Sequence, residues 1–405
     1  NKACDHLLAV SIPPTAEKLR RIMNLAQFTQ SHALSFFHLS SPDLLLGWDA
    51  DPTTRNIFGV MRQHPDLARD GIRLRQIGQT IIEMLGGKKI HPTWVVPGGV
   101  NEPLTLEKRD AMLKLLPEGL EIARRTYDFF KTLVPKFKHE AEHFGTLPTM
   151  FLSLVTPQGK HYDGLLRIKD AQGRIVEDMV PPEEFERLIG EAVEDFSYMK
   201  FPYYKPLGYP KGIYRVGPLA RLNNAQACGT PYADGALAEL HMLQDSGPIT
   251  SSFHNHYARL VEIIYAIEMM ERLLKDPAIL DTRVRARARS NRNTGIGVSE
   301  APRGTLIHHY RIDDDGLINW VNLIIATGHN NLAMNQAIKQ VAEAYVDGNH
   351  LQEGMLNRVE AVIRCFDPCL SCASHAFGQM PLYIELQNAN GQIVDTLNRA
   401  GGCTA

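Results

Sequence analysis

Asp367-Pro368-Cys369-Leu370-Ser371-Cys372-Ala373-Ser374-His375 gathers two thiols, a carboxylate and an imidazole into one short run near the C-terminus. Cys369 and Cys372 are three apart, which turns both sulfurs to one face of a helical turn. Asp367 is a favoured N-cap residue and Pro368 suits the first helical position. The pattern therefore predicts a helix that begins at Cys369, its N-terminal dipole favouring thiolate over thiol. Thiolate is the form that binds a soft metal. The chain carries six cysteines, and chance places a C-x-x-C pair in roughly one chain in ten of such composition. Taken alone, the pair fits a redox couple or half of a zinc site equally well.

The nonapeptide says more than the pair. D-P-C-x-x-C-x-x-H, continued by Ala376-Phe377-Gly378-Gln379-Met380-Pro381-Leu382, resembles the C-terminal motif of the large subunit of nickel-iron hydrogenases. In that family the two cysteines supply half of a four-thiolate nest. The resemblance implies Cys369 and Cys372 as ligands of a nickel-iron centre whose iron carries cyanide and carbonyl. It implies a magnesium ion as well, bound by His375 and by the backbone carbonyl of Leu323. It further implies that residues 376–405 are a C-terminal extension, cut directly after His375 by a nickel-checking endopeptidase once nickel chaperones have loaded the site.

Two upstream stretches join this motif. In Glu300-Ala301-Pro302-Arg303-Gly304-Thr305, proline and glycine fix the backbone on either side of one arginine, so its guanidinium can be aimed. The segment resembles the one whose arginine hangs over the metals and bonds a cyanide; Arg303 is thereby a candidate base. Asn322-Leu323-Ile324-Ile325-Ala326-Thr327-Gly328 reads as an apolar strand closing into a polar turn. The resemblance makes Thr327 the hydroxyl on the second cyanide. His38-Leu39-Ser40-Ser41-Pro42-Asp43 matches the family segment with an aspartate beside the site. Asp43 and Asp367 are then expected to hold and polarise the Arg303 guanidinium, with His38 structural. The catalytic set is Arg303, Asp43, Asp367, Cys369 and Thr327.

Between these stretches the chain reads as mainly helical with small hairpins, an α+β chain around a bundle of long helices. Pro13-Pro14-Thr15 starts a helix over about 16–39 that Ser41-Pro42-Asp43 ends. Helical patterns follow at 106–116 and 119–133, as an antiparallel pair, and at 183–196, 254–274, 331–345 and 351–364. His91-Pro92-Thr93-Trp94-Val95-Val96-Pro97-Gly98-Gly99 is a rigid loop. Residues 151–156 form a strand. Hairpins surround Asp170-Ala171-Gln172-Gly173 and Asp313-Asp314-Asp315-Gly316, and a third surrounds Asn388-Ala389-Asn390-Gly391 in the extension. Arg215 and Arg221 fall in a further stretch resembling the family and are expected to anchor ion pairs. The basic run 283–292 reads as a solvated face or subunit contact. The resemblance implies that residues 1–375 are the large-subunit domain, lacking its N-terminal cysteine motif.

A net charge of −2 gives no reason to expect nucleic acid or an acidic membrane surface. No apolar run approaches the length of a membrane span, and the cysteines form no regular framework, which points to the reducing cytoplasm. The motif is most similar to the soluble, bidirectional NAD-linked group. Cofactor-F420-non-reducing and NADP-linked sulfhydrogenase groups share much of the pattern. No G-x-G-x-x-G follows a strand. NAD and iron-sulfur clusters are thus expected on partners: a small subunit carrying an iron-sulfur cluster, and diaphorase subunits. The family's N-terminal R-x-C-G-x-C pair has no counterpart, since Cys4 matches neither of its cysteines. The expectation is a chain cut downstream of that pair and inactive alone. A non-catalytic relative such as the quinone-module subunit of respiratory complex I, and a zinc or thiol-redox protein, remain as alternatives.

Overall fold

The computed structural model describes residues 1–369 and 382–399. Its organising element is the helix Asn255–Lys275, buried on every side from Asn255 to Met270. A helix enclosed all round belongs at the centre of a larger core. Helices Pro14–Ala33 and Leu106–Leu133 pack against it, and Pro65–Gly86 packs against both of them. Leu19, Ile22, Leu25, Phe28, Leu74, Ile77, Phe130, Ile263 and Met270 are all fully enclosed there. Each such side chain contributes about 1.5–3 kcal/mol of burial. The expected long-helix bundle is therefore present.

Three elements differ from expectation. The first helix does not stop at Ser41-Pro42-Asp43; Pro14–Ala33 runs through a π-helical segment Leu34–Ser40 into Ser41–Leu46. Pro42 has no N–H to give the preceding turn, and a π-helical turn just before it widens the ladder around the gap. The Ser41 hydroxyl donates to the Phe37 carbonyl at 2.5 Å. Residues 106–133 are one helix, with Pro117 inside it. Its buried stripe Met112, Leu116, Gly119, Ile122, Ala123, Thr126, Tyr127 and Phe130 passes the proline without a phase break, so packing outweighs the lost bond. Residues 183–196 are not a helix. A short turn of helix, Phe185–Leu188, gives way to a strand Ile189–Glu194 that pairs with Ser197–Tyr204.

The remaining strands build a second core. Leu165–Lys169 lies between Met150–Val155 and Ile175–Val180, with Tyr214–Arg215 added in parallel to Met150–Val155. Gly304–Ile312 is the middle strand between Thr294–Ala301 and Ile318–Ile324. Leu152, Leu154, Ile168, Val298, Ile307 and Ile324 fill the space among them. The hairpins expected around Asp170, Asp313 and Asn388 all form. The last pairs Leu382–Gln387 with Ile393–Arg399. Among the described residues, no helix is long and apolar enough to cross a membrane.

Candidate metal centre

Helix Glu353–Phe366 delivers the cysteine run. It ends at Asp367, whose φ and ψ of 52° lie in the left-handed region, and whose N–H closes on the Arg364 carbonyl at 3.0 Å. Asp367 is thus the C-cap of the preceding helix, in place of the expected N-cap; the helix expected from Cys369 onward lies outside the described residues. An N-cap needs extended backbone, whereas a chain leaving a helix reverses through the left-handed region, which Asp tolerates better than most residues.

That reversal turns the carboxylate inward, 3% exposed. Arg303 donates from Nε to the Asp367 carbonyl at 2.6 Å and from Nη2 to Oδ1 at 3.3 Å. Oδ2 is buried with no hydrogen-bond partner among the described residues. Burial pushes this carboxyl above its usual range, against the pull of Arg259 and Arg303. Arg303 itself sits in the tight turn between Thr294–Ala301 and Gly304–Ile312. At Gly304 (φ 145°) a Cβ would stand 2.1 Å from Val216 Cγ2, so only glycine lets the turn seat there.

Thr327, 3% exposed, follows the strand Ile318–Ile324, and its hydroxyl accepts from the Cys369 N–H at 3.1 Å. The hydroxyl keeps its own hydrogen to donate. Leu323, on the edge strand, pairs in register with His308, and its side chain is half-exposed. Cys369 is half-buried; Cys372 and His375 lie outside the described residues.

Asp43 is buried, but it does not hold Arg303. It accepts from Arg364 Nη1 at 2.8 Å and from Asn357 Nδ2 at 3.1 Å, with Arg55 Nε 3.5 Å away. Burial raises its carboxyl despite Arg364. The expectation of two carboxylates on one guanidinium is corrected accordingly. Asp43 meets the flank of helix Glu353–Phe366, while Arg303 meets its C-terminal end. Arg55, Asn357 and Arg364 carried no signal in the sequence: Arg55 lies in the turn before helix Ile57–Gln63, and the other two sit in the ordinary helical pattern of Glu353–Phe366. Arg259 was also missed; its Nη2 donates to the Cys365 carbonyl at 2.6 Å, one turn from the cysteine run. His38 is half-buried, and burial lowers its pKa, in keeping with a structural role.

The two arginines expected in ion pairs part company. Arg221 pairs with Glu262 and Glu300. Arg215 instead donates to Thr149 Oγ1 and to the carbonyls of Leu147 and Thr250. Those neutral acceptors leave its charge unbalanced, and burial pulls it down to about 9.

No three His, Cys, Asp or Glu side chains among the described residues are gathered as a metal ion would need. What stands around Cys369 is a guanidinium, an unpartnered carboxylate oxygen and a hydroxyl. That donor set fits a thiolate-held metal centre carrying small anionic ligands: sulfur for the metal, N–H and O–H for the anions.

Residues 169–375 match the family model described as nickel-dependent hydrogenase. The chain is 39% identical to the beta subunit of the NAD-reducing hydrogenase HoxS of Cupriavidus necator, over 97% of this chain and 84% of that protein. It is 38% identical to a chain of the vhc F420-non-reducing hydrogenase of Methanococcus voltae, over 98% and 85%. Among solved structures, an NAD+-reducing [NiFe]-hydrogenase in the H2-reduced state superposes with a TM-score of 0.89 at 45% identity, covering 92% of this chain and 83% of that one. The Ni-Fe-Se hydrogenase of D. vulgaris Hildenborough shares the fold at 21% identity, with a TM-score of 0.72 and coverage of 92% and 85%.

Proposed function

The chain belongs to the nickel-dependent hydrogenase large-subunit family, and from that premise we propose that it is the catalytic subunit of an enzyme that splits and forms dihydrogen, with electrons passing through partner subunits to NAD. The observation that carries the site assignment is the convergence of Arg303, Asp367, Thr327 and Cys369 on one spot from three separate segments. The similarity to NAD-reducing relatives supports the NAD linkage. It also supports a small subunit carrying an iron-sulfur cluster, with diaphorase subunits beyond it.

Cys369 and Cys372 would supply two of the thiolates that hold a nickel-iron centre, which would provide the electron-rich metal pair at which dihydrogen separates heterolytically. The protein's task is to receive the proton and to stabilise anions in a dry site. Arg303 would hold or relay that proton, and its Nε anchor on the Asp367 carbonyl fixes the plane of the guanidinium. The Asp367 carboxylate keeps the guanidinium's charge directed at the site. Thr327 would give its O–H to an anionic ligand such as cyanide, one lone pair being taken by the Cys369 N–H. Asp43, paired with Arg364 and held by Asn357, braces the flank of the helix that delivers Asp367 and Cys369. Magnesium would sit at His375 and the Leu323 carbonyl. A maturation endopeptidase would remove 376–405 after nickel chaperones have acted, in the cytoplasm, where cysteines stay reduced.

The test is metal analysis and hydrogen oxidation on the complex matured in its native host. Nickel and iron together, hydrogen-dependent NAD reduction, and loss of nickel in Cys369→Ser are expected. Zinc in place of both metals, with no hydrogen turnover, would identify a zinc or thiol-redox protein instead.

A further inference from the structure

A buried charge cluster that the chemistry above leaves unused surrounds Arg221, on the short helix Pro218–Asn224. Arg221, Glu262 and the side chain of Glu300 are shut off from solvent. Arg221 donates from Nε to Glu262 Oε1 at 2.6 Å, from Nη2 to Glu262 Oε2 at 2.7 Å, and from Nη1 to Glu300 Oε2 at 2.9 Å. Glu262 also meets His161 Nε2 at 2.7 Å and His32 Nε2 at 2.8 Å. A carboxylate only accepts, so both imidazoles donate through Nε2 and Glu262 is saturated. Burial alone would raise Glu262; the Arg221 charge and these hydrogen bonds take it well below the carboxylate range.

Neutralising Arg221 needs nothing more than the two glutamates. Yet it spends two further hydrogen bonds on backbone: Nη1 to the Ala301 carbonyl at 2.8 Å and Nη2 to the Pro302 carbonyl at 3.0 Å. These are the two carbonyls directly before Arg303. Glu300 closes the other side of the same turn, since its Oε1 accepts from Thr305 Oγ1 at 3.0 Å and from the Leu154 N–H at 2.8 Å. The turn is therefore gripped on both flanks by one planar fork and the carboxylate it pairs with. An arginine has the fixed geometry for five such bonds at once; a lysine does not.

We propose that Arg221 is a positioning residue for Arg303: it fixes the backbone of Ala301 and Pro302 and so sets where the Arg303 guanidinium stands above Asp367. The proposal rests on the reading of Arg303 given above. Misplacing a reacting group by about 1 Å can cost ~10²-fold in rate, so loosening the turn lowers turnover without touching any group that meets the metals.

The experiment compares matured holoenzyme carrying Arg221→Lys, Arg303→Lys, both, or Thr305→Val, which removes the Thr305–Glu300 bond without changing charge. Nickel content, kcat for hydrogen oxidation and amide exchange over 301–305 are read together. Expected are full nickel, a kcat lower by ~10- to 10²-fold in Arg221→Lys, faster exchange confined to the turn, and a double variant no slower than Arg303→Lys. Thr305→Val reproduces the pattern more weakly and serves alone if Arg221→Lys does not fold. Unchanged exchange over the turn, or losses that add in full in the double variant, overturn the positioning role and leave the reading of Arg303 intact. Wild-type kcat in Arg303→Lys with full nickel overturns that reading, and this proposal with it.

Discussion

Asp367 combines a charge and a backbone conformation, and two substitutions separate them. Asp367→Asn keeps a side chain that tolerates φ of 52° and leaves the Arg303 Nε bond to the backbone carbonyl at 2.6 Å. It removes only the charge from the Nη2–Oδ1 contact, which at 3.3 Å is a long bond. The low end of the range for charged hydrogen bonds applies, about 1.5 kcal/mol. Transferred to the barrier, that is roughly tenfold in turnover. Asp367→Ala loses the contact altogether, at least as large a loss, and adds left-handed strain of about 1–2 kcal/mol. In a chain of this size that strain lowers the thermal midpoint by about 1–2 °C. Nickel content is measured first, then hydrogen-dependent dye reduction, then thermal melts of all three proteins. The expected order is a tenfold loss for asparagine and at least that for alanine, with a lower midpoint for alanine than for asparagine. Wild-type turnover in the nickel-loaded asparagine variant, or identical midpoints for the two, would refute the reasoning.

Pro117 is exposed inside a continuous helix, so Pro117→Ala restores a ladder bond and should raise the thermal midpoint by a degree or more, an increase of about 1 kcal/mol or above; two separate helices meeting at Pro117 would instead lose stability, and a melt distinguishes the cases. Burial lowers His254 to about 4 and His329 to about 3. Their unfolded forms bind protons first, so stability falls as pH drops below about 6.5 towards those values, by up to ~1.4 kcal/mol per unit for each histidine; His329→Gln should flatten the acid limb of a denaturation series, and an unchanged limb would show that other groups control it. Active enzyme from the native host should contain a large subunit ending at His375 by intact mass, and active enzyme retaining 376–405 would refute processing. The hairpin Leu382–Arg399 meets the body at Asp395, which accepts from the Leu351 N–H at 2.8 Å and lies 3.2 Å from His350 Nδ1.

Much of the fold could be read because burial leaves a periodic mark. Helices Asn255–Lys275, Asn331–Tyr345 and Glu353–Phe366 fall where their apolar spacing put them, and hairpins fall where Asp, Asn and Gly cluster. The misreadings share a cause. Pro42 and Pro117 are local stop signals, but each sits in a helix whose tertiary packing is worth more than one backbone bond. The stretch Ile189-Gly190-Glu191-Ala192-Val193-Glu194 suits a helix by charge spacing. It becomes a strand because its partner Ser197–Tyr204 is within reach of a tight turn.

The site divides along a different line. Pro302-Arg303-Gly304 and Asp367-Pro368-Cys369 were singled out by their resemblance to family segments of adjacent residues, although the backbone at Asp367 proved to be a C-cap and not the expected N-cap. The groups that hold them are not adjacent. Arg221 is 41 residues from Glu262 and 79 from Glu300; Asp43 is 321 from Arg364; His32 is 230 from Glu262. None of these pairs has a spacing that means anything along the chain, and each residue type is common on helix surfaces. Their meaning comes from burial, because a charge away from water must find an opposite charge or a hydrogen-bond partner with good geometry. A guanidinium forced to satisfy five donors in a dry interior can do so only if the acceptors stand in fixed places, and two of those acceptors are the carbonyls that carry Arg303. The cost of burying Arg221 is thereby converted into precision at the turn beside it, a support that shows only in the fold, even though Arg221 itself stands in a stretch that resembles the family.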